Sequence, residues 1–179
     1  MKPLGTAPSP GVDILPMSAL IIIKLVLLLV ITNGAPVLAR LLLGQRFSQP
    51  LDGNLQFIDG RSLLGPAKTV RGIVSAIFLT TLMAPLFDLS LAQGSLFALL
   101  AMCGDLVSSF IKRRLGITSS RSAPLLDQLP ETLLPLWIMH PVLKETVLEA
   151  CAAMLVFVVI DWFASRLREP VNNDASDAG

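Results

Sequence analysis

Five long apolar segments, separated by shorter polar stretches, dominate the pattern of the chain. The apolar segments cover residues 14–31, 70–86, 91–108, 125–140 and 147–163. A helix rises about 1.5 Å per residue, so roughly 20 apolar residues cross the roughly 30 Å hydrocarbon core of a bilayer. The pattern therefore predicts an all-α, polytopic integral membrane protein with about five transmembrane helices and two polar loops on one side of the bilayer.

The ends of the chain and the fourth segment differ from this pattern. Residues 1–13 are rich in Pro and Gly, and we expect them to form a flexible lead-in. Residues 14–168 form the expected transmembrane domain, and residues 169–179 the expected flexible C-terminal tail. Because Pro130 and Pro135 interrupt the fourth segment, a re-entrant segment is the alternative to a full span.

Composition narrows the class of protein further. Hydrophobic residues make up 53% of the chain and charged residues only 15%, whereas soluble domains carry about 25% charged residues. The charge is also unevenly distributed, because the long apolar segments hold almost none of it. The net charge of +1 provides no basic field for nucleic acid, so we expect no nucleic-acid partner.

Basic residues fall mainly on one side of the predicted bundle. Only Lys2 and Lys144 lie on the opposite side. The positive-inside rule therefore predicts a multi-pass protein of the cytoplasmic membrane with its N-terminus outside, its C-terminus in the cytoplasm and both polar loops cytoplasmic. The eleven residues on the cytoplasmic side are Arg40, Arg46, Arg61, Lys68, Arg71, Lys112, Arg113, Arg114, Arg121, Arg166 and Arg168.

Lys24 lies inside the first apolar segment, where a lysine costs about 2.5–3.5 kcal/mol at the centre of a span. We favour the interpretation that its side chain extends to the outer interface, because Lys24 is close to the start of the segment. Contact with an anionic lipid headgroup or with an inward-facing carboxylate is the alternative.

The first cytoplasmic loop is rich in glycine and charge. Lys68 and Arg71 flank the start of the second apolar segment, where glycines let backbone N–H groups approach a phosphate and the helix dipole favours an anion. This arrangement indicates an anion site, although basic residues that only follow the topology would give the same pattern. The motifs of the loop are Asn33-Gly34-Ala35-Pro36, Pro50-Leu51-Asp52-Gly53-Asn54, Asp59-Gly60-Arg61 and Gly65-Pro66-Ala67-Lys68-Thr69-Val70-Arg71-Gly72.

The second cytoplasmic loop begins with Asp105, at the membrane end of the third apolar segment. On a helix that continues past this point, Asp105, Ser108, Ser109 and Lys112 share one face at spacings i, i+3, i+4 and i+7. That face offers a carboxylate, two hydroxyls and a cation together. Ionisable groups at a membrane boundary are costly, and they mark candidate functional sites.

A second aspartate, Asp127, stands where the fourth apolar segment begins. Asp105 and Asp127 on neighbouring elements could supply oxygen ligands to Mg²⁺, which takes one or two carboxylates and completes its shell with phosphates and water. The sequence therefore predicts a divalent-metal site between these segments. The alternative is that Asp105 forms a local ion pair with Arg113 or Arg114.

Together these motifs resemble the signature of the CDP-archaeol synthases, which are relatives of the CTP:phosphatidate cytidylyltransferases. The resemblance rests on Gly104-Asp105 through Lys112-Arg113-Arg114 and on Leu126-Asp127-Gln128, with the motifs of the first loop upstream. The larger phosphatidate enzymes carry a Lys-Asp pair and a His-Gly-Gly segment before the second catalytic aspartate. Residues 117–124 of this chain lack both, which matches the shorter archaeol-type form.

The resemblance implies an enzyme that transfers CMP from CTP to a lipid phosphate, giving CDP-lipid and pyrophosphate in phospholipid biosynthesis. It implies CTP, the lipid phosphate and the bilayer as partners, and Mg²⁺ as a cofactor held by Asp105 and Asp127. Lys68 and Lys112 join these aspartates as catalytic residues. The substrate-binding residues that it implies are Asp52, Asp59, Thr69, Arg71, Ser108, Ser109 and Arg113.

Alternatives remain open at this point. The lipid substrate could be an isoprenoid glycerol ether phosphate of the archaetidic acid type or an acyl phosphatidate, and the residues leave homo-oligomerisation open. A small ion-coupled transporter is the rival class, although coupling carboxylates usually lie near the bilayer midplane. Transfer of an alcohol onto an existing CDP-lipid is set aside, because Asp59-Gly60-Arg61 lacks the further acids of that family's motif.

Overall fold

The computed structural model describes residues 18–117 and 124–168. The predicted lead-in, the predicted tail and Arg121 lie outside these residues. Within them, a short 3-10 helix, Ala84–Phe87, continues the second α-helix, and two isolated β-bridges replace any strand. The all-α prediction is confirmed. The α-helices are α1 (Ala19–Leu43), α2 (Val70–Met83), α3 (Leu91–Arg114), α4 (Pro124–Leu143) and α5 (Val147–Arg168).

Four helical segments in the described part of the chain are long and apolar enough to cross a membrane. They are Ala19–Leu43, Val70–Phe87, Leu91–Arg114 and Val147–Ser165. The remaining α-helix, α4, is not among them. It carries acidic and amide side chains and three prolines, which lower the hydropathy of a segment. The polytopic prediction is confirmed, and the helix that is not among these four segments is the one that carries Asp127.

The first polar loop begins later than the sequence predicts. We expected Asn33-Gly34-Ala35-Pro36 to lie in this loop, and that expectation is wrong, because α1 continues through Pro36 to Leu43. The far half of the helix is held by packing: Ala35 is buried against Ala76 of α2 and Met102 of α3. Helices tolerate Gly and Pro in membranes when neighbouring helices and polar side chains compensate for the lost backbone bond.

The apolar core lies towards the α2–α3 connection. Its largest fully buried side chains are Phe97 of α3 and Phe157 of α5, which pack with Leu28 and Leu29 of α1 and Met139 of α4. This packing fixes the relative positions of four helices. It leaves the opposite end of the bundle free to hold polar groups.

Close contact between α3 and α4 sets the geometry of that polar end. These two helices form the most extensive helix–helix contact of the structure. Gly104 makes it possible, because a Cβ atom there would lie 2.6 Å from the amide nitrogen of Glu131 and still closer to the carbonyl of Pro130. The neighbour of Gly104, Asp105, is thereby placed directly beside the first turns of α4.

Lys24 forms an ion pair with Asp88 at the end of the bundle that holds the α2–α3 connection. Asp88 is the left-handed residue that ends the 3-10 helix, and its side chain is largely exposed. The lysine therefore extends to the end of the bundle that is nearer the start of its own segment, and the carboxylate that it meets is an exposed one rather than an inward-facing one.

Candidate active site

A polar cavity of about 990 Å³ occupies the end of the bundle where α1, α3 and α5 end and where α2 and α4 begin. Nine charged side chains line this cavity, four acidic and five basic. The acidic residues are Asp105, Asp127, Glu131 and Asp161, and the basic residues are Arg40, Lys68, Arg71, Lys112 and Arg113.

Two lysine–aspartate pairs form the centre of this wall. The ammonium nitrogen Nζ of Lys68 lies 2.5 Å and 2.6 Å from the two carboxylate oxygens of Asp105. Nζ of Lys112 lies 2.9 Å from Oδ2 of Asp127. The structure thus brings all four predicted catalytic residues into one cavity. The alternative, a local ion pair of Asp105 with Arg113 or Arg114, does not form among the described residues.

The loop between α1 and α2 holds Lys68 in place. The amide of Leu51 donates to the carbonyl of Lys68 at 2.7 Å, and the amide of Val70 donates to the carbonyl of Gln49 at 3.3 Å. These bonds tie both ends of the loop together just before α2 begins. The backbone of Lys68 is therefore fixed by hydrogen bonds to another part of the same loop.

The predicted stripe on α3 is present, with one change. Asp105, Ser109 and Lys112 line the cavity, whereas Ser108 is fully buried and is not among the lining residues. Both hydroxyls donate to the backbone carbonyl of Asp105, at 2.8 Å for Ser108 and 2.9 Å for Ser109. Their present role is to satisfy the helix backbone beside the carboxylate.

Three further predicted substrate-binding residues line the cavity. Thr69 caps α2, because its hydroxyl accepts from the amide of Gly72 at 3.2 Å. Arg71 donates from Nη1 to the carbonyls of Gly44 and Arg46 at the end of α1, at 2.8 Å and 2.5 Å. Arg113 donates from Nη1 to a carbonyl just after α3, and its buried Nε has no partner among the described residues.

Asp52 is not among the lining residues but organises the first loop. Its buried carboxylate accepts from the amides of Leu64 and Gly65, at 2.8 Å and 3.0 Å, and from the amide of Asn54 at 3.1 Å. Burial alone would raise the pKa of Asp52, but these backbone hydrogen bonds outweigh it and hold the pKa below its usual value. The structure therefore gives Asp52 a positioning role in the loop.

Asp59 is also outside the cavity wall, and it docks the first loop onto the end of α3. Its carboxylate pairs with Arg114, which also donates to the carbonyl of Ser62 at 2.7 Å. The Arg114 guanidinium stands 4.6 Å from the ring centroid of Phe57 and 5.0 Å from that of Phe110. A cation between two aromatic rings and a carboxylate holds the loop against the helix that carries Asp105.

Sequence reasoning gave no site role to three polar residues that α4 and α5 contribute to the wall, Gln128, Glu131 and Asp161. Gln128 is 2% exposed and donates from Nε2 to Oδ2 of Asp161 at 2.6 Å, which links α4 to α5. Glu131 is 7% exposed and lies one turn further along α4. The signal was available, because polar residues inside apolar segments mark functional sites and Asp161 interrupts the fifth segment.

The donor chemistry of the wall fits a hard cation such as Mg²⁺, which prefers carboxylate oxygens and water. Four carboxylates line the cavity, and they come from α3, α4 and α5. In the present geometry, no three acidic, histidine or cysteine side chains of the described residues are arranged to hold a metal together. Each of the two predicted ligands, Asp105 and Asp127, is instead neutralised by a lysine.

Apolar helices that enclose a charged cavity at their common end define an intramembrane protein with a polar site at the bilayer boundary. A family model described as CarS-like, CDP-archaeol synthase, matches residues 86–167. The CDP-archaeol synthase of Hyperthermus butylicus is 41% identical over 103 residues, which cover 54% of this chain and 58% of that protein. The chain belongs to the CDP-archaeol synthase family, as the sequence motifs predicted.

Two further comparisons agree with this assignment. The CDP-archaeol synthase of Thermococcus gammatolerans is 38% identical over 121 residues, covering 62% of this chain and 67% of that protein. A solved structure of an intramembrane enzyme for archaeal membrane lipid biosynthesis is 32% identical, with a TM-score of 0.68 over 81% of this chain and 92% of that one. The chain spans about three fifths of the length of the first curated relatives that it matches.

Proposed function

We propose that this protein is a membrane-embedded CTP:lipid-phosphate cytidylyltransferase of phospholipid biosynthesis. It transfers CMP from CTP to a lipid phosphate and releases pyrophosphate. The observation that carries the proposal is the pair of lysine–aspartate contacts on one cavity wall, in a chain of the CDP-archaeol synthase family. The substrate that we favour is an isoprenoid glycerol ether phosphate of the archaetidic acid type, with acyl phosphatidate as the alternative.

The reaction joins two anions. A phosphate oxygen of the lipid attacks the α-phosphorus of CTP, the new P–O bond forms, and the bond from that phosphorus to the bridging oxygen of the β-phosphate breaks. Pyrophosphate leaves with the electron pair of that bond. The lipid phosphate is already an anionic nucleophile at neutral pH, so no general base is required. The described residues that line the cavity include no histidine, which is compatible with such a reaction.

The main task of the side chains is to neutralise negative charge. Lys68, Lys112 and Arg113 line the wall and are our candidates for contacts with phosphate oxygens. Arg71 and Thr69 stand at the start of α2, where the helix dipole favours an anion. Ser109 is the remaining substrate-binding candidate on the wall. Asp52, Asp59 and Ser108 contribute by holding the loop and the α3 backbone in place.

We assign Asp105 and Asp127 as the residues that hold Mg²⁺. A bound Mg²⁺ supplies charge neutralisation to the phosphates and the leaving pyrophosphate. Lys68 and Lys112 pair with these two carboxylates, so each aspartate has a positive charge beside it in the structure. When substrate phosphates enter, the same lysines have a second class of anionic partner within the cavity.

The proposed orientation places the cavity in the cytoplasm, where CTP is available, with the N-terminus outside and the C-terminus inside. The lipid tails then lie between helices whose outer surfaces carry many exposed apolar side chains. Cysteine labelling tests this topology after Cys103 and Cys151 are replaced by Ala. A cysteine at Lys144 should label from outside, and one at Ile58, which is 95% exposed, only after permeabilisation. External labelling at position 58 would reverse the orientation.

The activity is tested with purified protein, labelled CTP, Mg²⁺ and a panel of ether and acyl lipid phosphates. Wild-type protein should form CDP-lipid, and Asp105→Asn and Asp127→Asn should each lower the rate by about 10²-fold or more, because the charge is lost while the shape is kept. Asp88→Asn is the matched control, since it removes a lysine–aspartate pair at the opposite end of the bundle. Absence of CDP-lipid with every lipid phosphate would refute the proposal.

A further inference from the structure

Glu131 is a buried carboxylate for which the described residues provide no partner. It is 7% exposed and lines the cavity. No described residue donates a hydrogen bond to it or forms an ion pair with it, although Asp105, Asp127 and Asp161 all have partners. Burial of a charge without a partner costs several kcal/mol of folding free energy, which is why unpaired ions are rare in protein interiors.

The surroundings of Glu131 increase this cost. The negative charges of Asp105, Asp161 and Asp127 repel a charged Glu131 carboxylate, whereas the ammonium group of Lys68 attracts it. That lysine already donates to both oxygens of Asp105. Carboxylates therefore outnumber cations among these charged groups that act on Glu131, and Lys112 on the same wall is already paired with Asp127.

This distribution favours a cation beside Glu131 rather than a phosphate. Direct coordination by three carboxylates does not match the present geometry, because no three of the described acidic side chains are arranged around one metal position. Mg²⁺ gives up its water reluctantly and usually keeps several water ligands when proteins bind it. An acceptor without a partner among the described residues, on the same cavity wall as Asp105 and Asp127, is suited to those waters.

We infer that Glu131 is a positioning residue that accepts hydrogen bonds from the water shell of the divalent cation held by Asp105 and Asp127. This inference rests on the proposed function for the metal assignment. Glu131 thereby fixes the orientation of the hydrated cation without coordinating it directly. The close approach of α4 to Gly104 keeps the backbone of Glu131 beside the neighbouring Asp105.

The test measures Mn²⁺ binding by electron paramagnetic resonance, with purified protein and CTP but no lipid phosphate. Glu131→Gln should weaken Mn²⁺ binding by about 10–100-fold, the usual loss when a group behind the metal ligands is changed. Glu131→Asp keeps the charge and should bind Mn²⁺ more tightly than Glu131→Gln. The matched control is Glu145→Gln, since Glu145 is a second buried glutamate, in the α4–α5 connection and outside the cavity wall.

A purely structural role for Glu131 predicts a different result. A structural role would make the metal-free protein less stable when Glu131 is replaced. The inference predicts instead that Glu131→Gln leaves the thermal unfolding temperature of the metal-free protein unchanged or raises it, because no described residue pairs with Glu131. Loss of stability in both variants with unchanged Mn²⁺ affinity overturns the inference. If wild-type protein forms CDP-lipid and Glu131→Gln binds Mn²⁺ as tightly, the inference falls and the proposed function stands. If Mn²⁺ binding depends on Glu131 but no CDP-lipid forms, the metal assignment and the inference stand, and the proposed transfer of CMP to a lipid phosphate falls.

Discussion

Replacement of Gly104 by Ala tests whether the close α3–α4 contact sets the geometry of the cavity. The added Cβ would lie 2.1 Å from the carbonyl oxygen of Pro130, whereas ordinary contacts begin at 3.4 Å, so the two atoms must separate by about 1.3 Å. The obstruction is backbone, which cannot rotate away as a side chain can. Insertion of one carbon into such a contact costs about 1–3 kcal/mol, and occasionally more.

The change should affect both stability and activity. For a chain of this size, about 1–3 kcal/mol corresponds to a decrease of roughly 2–12 °C in the unfolding temperature. Asp105 follows Gly104 directly, so the separation also shifts Asp105 relative to Asp127 on α4. A displacement near 1 Å between reacting groups can lower the rate by about 10²-fold. Thermal unfolding and CMP transfer per folded molecule measure the two effects.

Two other glycines provide controls for Gly104→Ala. Gly34→Ala places its Cβ in open space on α1, and Ala is about 0.8–1 kcal/mol better than Gly inside a helix, so stability should not fall. Gly94→Ala crowds Ala84 at the opposite end of α3, with its Cβ 3.2 Å from the carbonyl of Thr80. It should lower stability while leaving turnover per folded molecule intact. Wild-type stability and transfer in Gly104→Ala, or equal loss of turnover in Gly94→Ala, would refute the reasoning.

Two further predictions concern the first loop. Lys68→Met should raise the apparent KM for CTP by about 10-fold or more, since a charge-assisted phosphate contact contributes about 1.5–3 kcal/mol; steady-state kinetics with an unchanged KM would remove Lys68 from the site. Asp52→Asn should lower the unfolding temperature at neutral pH, because an amide cannot accept from all three backbone donors. Because the fold lowers the pKa of Asp52, its contribution to stability is present above about pH 3.9 and is lost as the pH falls below that value. The difference in unfolding temperature between wild type and Asp52→Asn should therefore shrink in acid. A difference that does not change with pH would contradict this account.

The helices were predictable because insertion into lipid leaves a one-dimensional signature, the length of an apolar segment. α2, α3 and α5 begin where their apolar segments begin. The end of α1 was not predictable in this way, because Gly34 and Pro36 are helix breakers in isolation and become acceptable only when Ala35 packs against two other helices. That packing is a tertiary property.

The content of the site was more predictable than its pairing. Membrane-boundary charge identified Asp105, Lys112, Asp127 and Lys68, and all four line one cavity. Their partners depend on how helices and loop pack, since Lys68 and Asp105 are 37 residues apart in the chain. Glu131 was within reach of sequence reasoning, because the same rule applies to any acid in an apolar segment; it was overlooked beside the stronger motif that contains Asp127.

The two lysine–aspartate pairs explain how a cavity with this much charge is tolerated at the bilayer boundary. Asp105 and Asp127 each have a lysine in contact, so four of the nine charged groups that line the wall form neutral pairs. Under the proposed function, CTP binds as a polyanion together with a divalent cation. The phosphates then provide a negative partner for each lysine, and the cation provides a positive partner for each aspartate. The lysines then contact phosphates and the aspartates contact the metal, so the number of unpaired charges does not rise. Glu131, which has no lysine to release, is the residue whose charge is compensated only when the hydrated cation is bound.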